Sequence, residues 1–125
     1  MDIEPIQNDH MPKALGPYSQ VIRAGDLYFI AGQPGIDATT GQVPAGGFEV
    51  EARMAFGNLG RVLEAAGLDL GRIVKTTVFL TSAEDFGAMN ALYGEFFPVS
   101  KPARSTPIVS LPRNLRISIE AIAAG

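Results

Sequence analysis

Ile73-Val74-Lys75-Thr76-Thr77-Val78-Phe79-Leu80-Thr81 is the run on which the fold turns. β-Branched and aromatic residues dominate it and neither glycine nor proline interrupts it, so it reads as the strongest strand of the chain. Helical patterns flank it on both sides. Upstream, residues 48–66 carry Ala55, Leu59, Val62, Leu63 and Ala66 at i, i+4, i+7, i+8 spacing, with Glu51, Asn58, Arg61 and Glu64 mostly off that stripe. Gly67 is suited to the C-cap. Gly57 and Gly60 each weaken the helix by about 1 kcal/mol relative to alanine, and close packing against a sheet is the expected reason for them. Downstream, Ser82 and Asp85 form an S-x-x-D helix start, Phe86, Met89, Tyr93, Phe96 and Phe97 make an expected buried stripe, and Pro98 ends the helix.

Further outward, Tyr18–Ala24 and Leu27–Ala31 read as two strands of a hairpin turned at Gly25-Asp26. Residues 32–47, rich in Gly, Pro, Asp and Thr, read as a loop, and residues 1–15 as a polar lead-in. Ser105–Leu111 and Arg116–Ala123 read as a last hairpin, turned at Pro112-Arg113-Asn114. The resulting order is β-β-α-β-α-β-β within one domain spanning residues 1–125. It predicts one mixed sheet with both helices on one face. The strands do not alternate cleanly, so the other face must also be covered. A single chain of this order has nothing left to cover it, and a partner subunit is expected there.

Composition removes several kinds of chemistry. The chain has 125 residues, 46% apolar and 18% charged, enough for a core and too little charge for disorder. There is no cysteine, so disulfides, thiolate metal sites and cysteine nucleophiles are excluded. The only histidine is His10, in the polar N-terminal stretch, and it cannot make a zinc site unaided. The net charge is −3 and the arginines are scattered among acids, so a nucleic-acid partner is not expected. No apolar run is long enough to span a membrane, and Met1-Asp2-Ile3-Glu4-Pro5 lacks the apolar core of a signal peptide, so a cytoplasmic protein is expected.

Several residues are out of character for their positions. Arg104 follows Pro102-Ala103 with no neighbouring acid. It is either a solvated strand-end arginine or a rigid fork for a carboxylate or phosphate. Glu120 sits among Ile119, Ala121 and Ile122. It is either a proton carrier or a member of a wet face shared with Arg116 and Ser118. If the last two strands pair, Glu120 lies roughly 10 Å along the sheet from Arg104, with room for a small substrate between them. Asn90 falls on the apolar stripe of the second helix, where a buried amide needs a structural partner or a ligand. Tyr18, after Gly16-Pro17, is a core residue or a hydroxyl facing a cleft, and Gly32 permits close approach of a ligand or another backbone. Lys75 reads as an edge lysine more readily than as a Schiff-base lysine.

A set of motifs occurs in one order along the chain. They are Gly16-Pro17-Tyr18-Ser19-Gln20, Gly32-Gln33, Ala65-Ala66-Gly67, Val74-Lys75-Thr76-Thr77-Val78-Phe79, Asn90 with Tyr93 and Phe96-Phe97, Pro102-Ala103-Arg104-Ser105, Leu111-Pro112 and Ile119-Glu120. From about Pro12 to Ala123 the chain closely resembles the Rid family of reactive-intermediate deaminases, also called YjgF-like. The resemblance implies an α+β, chorismate-mutase-like fold. It further implies a trimer with sheets packed at the centre, helices outside and a site at each interface. The implied activity is cofactor-free hydrolysis of 2-imino and enamine acids (2-aminoacrylate, 2-iminopropanoate, 2-iminobutanoate) to 2-oxo acids and ammonia, with no metal. By the same resemblance Arg104 clamps the substrate carboxylate and Glu120 positions or activates water. Tyr18 and Asn90 become pocket walls, and Gly32 and Thr106 backbone contributors.

The chain departs from the family pattern in places. Ala31 stands where many members have serine, and Thr106 where many have cysteine. The connection Pro98-Val99-Ser100-Lys101 is shorter than in many relatives, and Lys101 replaces a commonly apolar residue. These differences bear on substrate choice more than on reaction class. The competing readings are a non-catalytic small-carboxylate binder or ligand-sensing interaction protein, and an endoribonuclease or translation inhibitor. The acidic balance argues against the latter, because phosphate contacts dominate nucleic-acid binding.

Overall fold

A computed structural model describes all residues 1–125. Its elements are β1 (Ile3–Pro5), β2 (Val21–Ala24), β3 (Leu27–Pro34), α1 (Phe48–Ala65), β4 (Ile73–Leu80), α2 (Phe86–Phe96), β5 (Ala103–Ser105) and β6 (Ile117–Ala124). The six strands form one mixed sheet in the order β1-β2-β3-β6-β4-β5. The central strand and α1 fall where the sequence places them, while β2 begins at Val21 rather than Tyr18, β3 runs on to Pro34 into the expected loop, and α2 begins at Phe86 after a 3-10 turn that Ser82 caps. Gly25 supplies the positive φ of the first hairpin's two-residue turn, and Gly67 has φ 79 just past α1.

Two further expectations are corrected. Residues 1–15 are not simply a lead-in: Ile3–Pro5 adds an edge strand to β2, with Glu4 ion-paired to Arg23 across the pair. Three residues ending in proline carry no strand signal by themselves, and it is the free edge of β2 that makes them one. The last two strands do not form a hairpin either. β5 pairs in parallel with β4, through Lys75↔Ala103, Thr76↔Arg104 and Thr77↔Ser105. β6 runs antiparallel to both β3 and β4 and lies between them. Pro107 has no N–H to donate to a ladder. Its carbonyl instead accepts from Leu80 N, so residues 107–109 continue along the far edge of β4.

Both helices cover the face built by Val21, Ile30, Thr76, Val78, Ile117, Ile119 and Ala121, all buried. Phe56 of α1 stacks on Phe96 of α2 at 5.0 Å and meets Tyr93 edge-on at 5.9 Å. Gly57 and Gly60 do not face the sheet. A methyl group at Gly57 would touch only the Arg61 side chain, and at Gly60 nothing. Phe86 is exposed rather than part of the buried stripe, and Glu51 is buried rather than on an outer face. Arg116 accounts for Glu51: its backbone N–H donates to Glu51 Oε2 at 2.7 Å, and its Nη2 donates to Asp85 Oδ1 at 2.8 Å. One residue thus ties the starts of both helices to the start of β6.

Just past β3, the chain packs closely on α1 at Gly35. A Cβ on Gly35 would lie 2.2 Å from Glu51 O and 2.6 Å from Glu51 Cγ. Gly35→Ala is therefore expected to lose about 3 kcal/mol of stability, since helix backbone cannot yield as a flexible side chain does. Urea unfolding measures this, and a midpoint equal to that of the wild type would mean that α1 can shift off β3.

The sheet face away from the helices stays uncovered in the chain. Register places Ile22, Leu27, Phe29, Ile122, Thr77, Lys75, Ser118 and Glu120 on it. Leu27 and Phe29 are respectively 40% and 42% exposed.

Candidate active site

Arg104 lies on β5 at the sheet edge, in register with Thr76, and so points to the helix side. Its guanidinium sits 4.7 Å from the Tyr93 ring centroid and 5.6 Å from that of Phe86. Its Nη1 donates to Asn90 Oδ1 at 2.8 Å. Aromatic faces and an amide thus fix the plane of the fork while the other donors of the guanidinium point elsewhere. Asn90 is exposed, not buried on the stripe, and its partner is Arg104. Tyr93 is held from behind by a 2.7 Å hydrogen bond with Thr76 Oγ1. Burial pushes its hydroxyl pKa upward, against the opposing influence of Thr76 and the Arg104 charge. Thr106 lies just beyond the end of β5. Sequence reasoning placed Tyr93 and Phe86 on one buried stripe; Tyr93 is buried there, Phe86 is exposed, and neither was expected beside Arg104. Their spacing from Asn90 on α2 was the signal that all three share one rim.

Tyr18 and Gly32 come together elsewhere, in a cavity of about 100 Å³ that Gln20, Gln33, Asn58 and Arg61 also line. Tyr18 is 46% exposed, and its hydroxyl accepts from Leu15 N at 3.2 Å. The cavity wall is braced by buried Gln33, whose Nε2 donates to Gln20 Oε1 and to Ala31 O, both at 2.9 Å. A side chain at Gly32 would begin 2.9 Å from Ser118 Oγ, so this position faces the uncovered side of the sheet. Ser118 and Glu120 share that side by strand alternation. Glu120 is exposed, lies in register with Thr77, and lines a shallow recess with Lys75, Thr77 and Ile122.

The expected adjacency of Arg104 and Glu120 is therefore corrected. They are not on paired strands; β4 stands between them, and they point from opposite faces of the sheet. Within one chain the candidate residues form two groups. Arg104, Asn90 and the aromatic slot occupy one edge, Gly32 and Glu120 are directed to the uncovered face, and Tyr18 joins this second group through the cavity it lines with Gly32.

The comparisons with known proteins agree with this architecture. The family described as Endoribonuclease L-PSP matches residues 8–125. The 2-iminobutanoate/2-iminopropanoate deaminase of Mus musculus is 44% identical over 119 residues, covering 94% of this chain and 88% of that protein. The crystal structure of the YjgF gene product of E. coli superposes with a TM-score of 0.88 at 41% identity, covering 97% of this chain and 98% of that one. E. coli TdcF with bound serine superposes with a TM-score of 0.89 at 36% identity, covering 98% of each chain. A match across nearly the whole length, with the same fold, means that the chain belongs to the L-PSP family, the YjgF-like proteins.

Proposed function

We propose that the protein hydrolyses reactive 2-imino and enamine carboxylates to 2-oxo acids and ammonia in the cytoplasm, without metal or organic cofactor, at sites completed between subunits of a homotrimer. The observation that carries this reading is the Arg104 fork, held flat by Tyr93, Phe86 and Asn90 with donors left over for a carboxylate. The relative from Mus musculus is named for this activity, and the TdcF structure holds an amino acid, which presents the same carboxylate.

Bound by its carboxylate, the substrate would hold its C=N carbon at a fixed place. Glu120 takes a proton from water as the water oxygen bonds to that carbon, and hands it to the imine nitrogen. Glu120 then takes the carbinolamine's hydroxyl proton and returns it to nitrogen as the C–N bond breaks, so ammonia leaves, the oxygen remains as the carbonyl of the 2-oxo acid and Glu120 is again ionised. An enamine enters the same route after protonation at carbon. Ala31 and Thr106, beside Gly32 and Arg104, are the positions where this chain would differ from its relatives in substrate choice.

The subunit arrangement follows from two features. The uncovered sheet face is largely apolar, and the two groups of site residues lie on different faces of one chain. A head-to-tail contact brings one group against the other and closes into a ring. Purified protein is expected to accelerate loss of freshly generated 2-iminopropanoate and 2-iminobutanoate, and to sediment as a trimer. Refolding an equal mixture of Arg104→Ala and Glu120→Gln chains should restore about a quarter of wild-type activity, since about that share of interface sites would be intact. No turnover by the wild type would sink the deaminase reading. An active monomer, or a mixture as dead as its components, would sink the shared site.

A further inference from the structure

Most residues that the strands direct to the uncovered sheet face carry no charge. β1 contributes Ile3 and Pro5, β2 Ile22 and Ala24, and β3 Leu27, Phe29 and Pro34. β6 contributes Ser118, Ile122 and Ala124 beside Glu120, and β5 contributes Ala103 and Ser105. β4 contributes Thr77 and Phe79 beside Lys75. Lys75 and Glu120 are thus the only charged side chains of these rows, and their signs are opposite. Register makes them diagonal neighbours, with Lys75 opposite Ile122 and Thr77 opposite Glu120, and both line the same recess. Diagonal partners on adjacent strands are within reach of long side chains.

Lys75 is already aimed along this row. Its Nζ donates to Thr76 O at 2.7 Å and to Thr77 Oγ1 at 3.3 Å, which brings the ammonium toward the residue that pairs with Glu120. Two of its three donors are used, and neither partner is an acid. Covering this face removes water from both charges, and an isolated charge is then costly while an opposed pair is not.

We propose that Lys75 is the positioning residue of Glu120: its ammonium directs the carboxylate into the site once the face is covered. This rests on the deaminase reading, in which Glu120 must be ionised to accept a proton from water. Within one chain no other titratable group faces Glu120, and in the shared site the partner subunit's Arg104 would be the second cation there, held across the substrate carboxylate. β3 offers Gly32 and Pro34 there, β4 offers Thr77 and Lys75, and β6 itself offers Ser118 and Ile122.

The test is the pH dependence of kcat/KM for 2-iminobutanoate, corrected for spontaneous hydrolysis, in the wild type, Lys75→Met, Lys75→Gln and Lys75→Arg. A nearby cation lowers a carboxylate's pKa, so its loss should raise it. The acid limb of the Met and Gln variants should move upward by about one pH unit or more, with activity recovering at alkaline pH. Lys75→Arg keeps the charge and should keep the limb near its wild-type position. A uniform loss at every pH with an unmoved limb, or an Arg variant displaced as far as Met, would overturn the proposal. Either neutral variant serves if the other fails to fold. Glu120→Gln runs beside them. If it turns over at the wild-type rate, the deaminase reading of Glu120 has failed. If it is inactive while the Lys75 limbs stay in place, only the role of Lys75 has failed.

Discussion

Glu120→Gln is expected to lower turnover of 2-iminobutanoate by roughly 10²–10⁴-fold, the usual contribution of a positioned general base, while leaving affinity for 2-oxobutanoate nearly unchanged. The substitution preserves shape and removes only the capacity to accept a proton. Glu120 is exposed on an eight-residue strand whose buried contacts come from Ile117, Ile119, Ala121 and Ala123, so the fold does not depend on its charge. An interaction made in the transition state and not with the bound acid lowers kcat and kcat/KM together. Calorimetric titration with 2-oxobutanoate beside the imine assay separates the two quantities. Wild-type turnover by the Gln variant would make Glu120 a structural strand residue and move the base to a water held by backbone near Gly32.

Arg104→Ala should fail in the other way, losing affinity for 2-oxo acids by roughly 100-fold, the worth of a charge-assisted pair of hydrogen bonds, and losing turnover with it. Arg104→Lys is expected to recover little. The ammonium is a point charge without a plane, and the slot between Tyr93 and Phe86 is built for a flat cation. Asn90 would also lose the partner that its Oδ1 meets at 2.8 Å. A lysine variant with near-normal 2-oxobutanoate affinity would show that charge alone suffices, and that bracing by Asn90 and Tyr93 has no role in binding.

The sequence made the helices and β4 legible because local signals and burial agree there: a 3.6-residue stripe on α1 and an unbroken β-branched run at Ile73–Leu80. It misplaced β6, because whether Arg116–Ala123 pairs with its chain neighbour or inserts between two distant strands is not encoded locally. Both arrangements present the same alternation of Ile117, Ile119 and Ala121 inward. That single difference decides whether Arg104 and Glu120 share a face. The candidate residues were named from isolated oddities and ordered motifs, and their grouping into two clusters depends on strand order. Glu51 was read as an outward acid because its partner, Arg116 N, is 65 positions away. The edge strand at Ile3–Pro5 was unreadable for a similar reason, since three residues become a strand only against an available edge.

The insertion of β6 between β3 and β4 also governs how the chain reaches its fold. Strands β3 and β4 have no ladder with each other; each is hydrogen-bonded to β6, the last strand in sequence order. During synthesis α1, α2 and the first hairpin can form as they emerge, but the middle of the sheet stays open until Ile117–Ala124 is available. Contacts such as Leu27↔Ala124 close loops of about three-quarters of the chain, which slows folding and lengthens the exposure of β3 and β4 edges. A nascent chain stalled before residue 117 would therefore carry two long apolar edges with no occupant between them, and would be a substrate for chaperones or for aggregation.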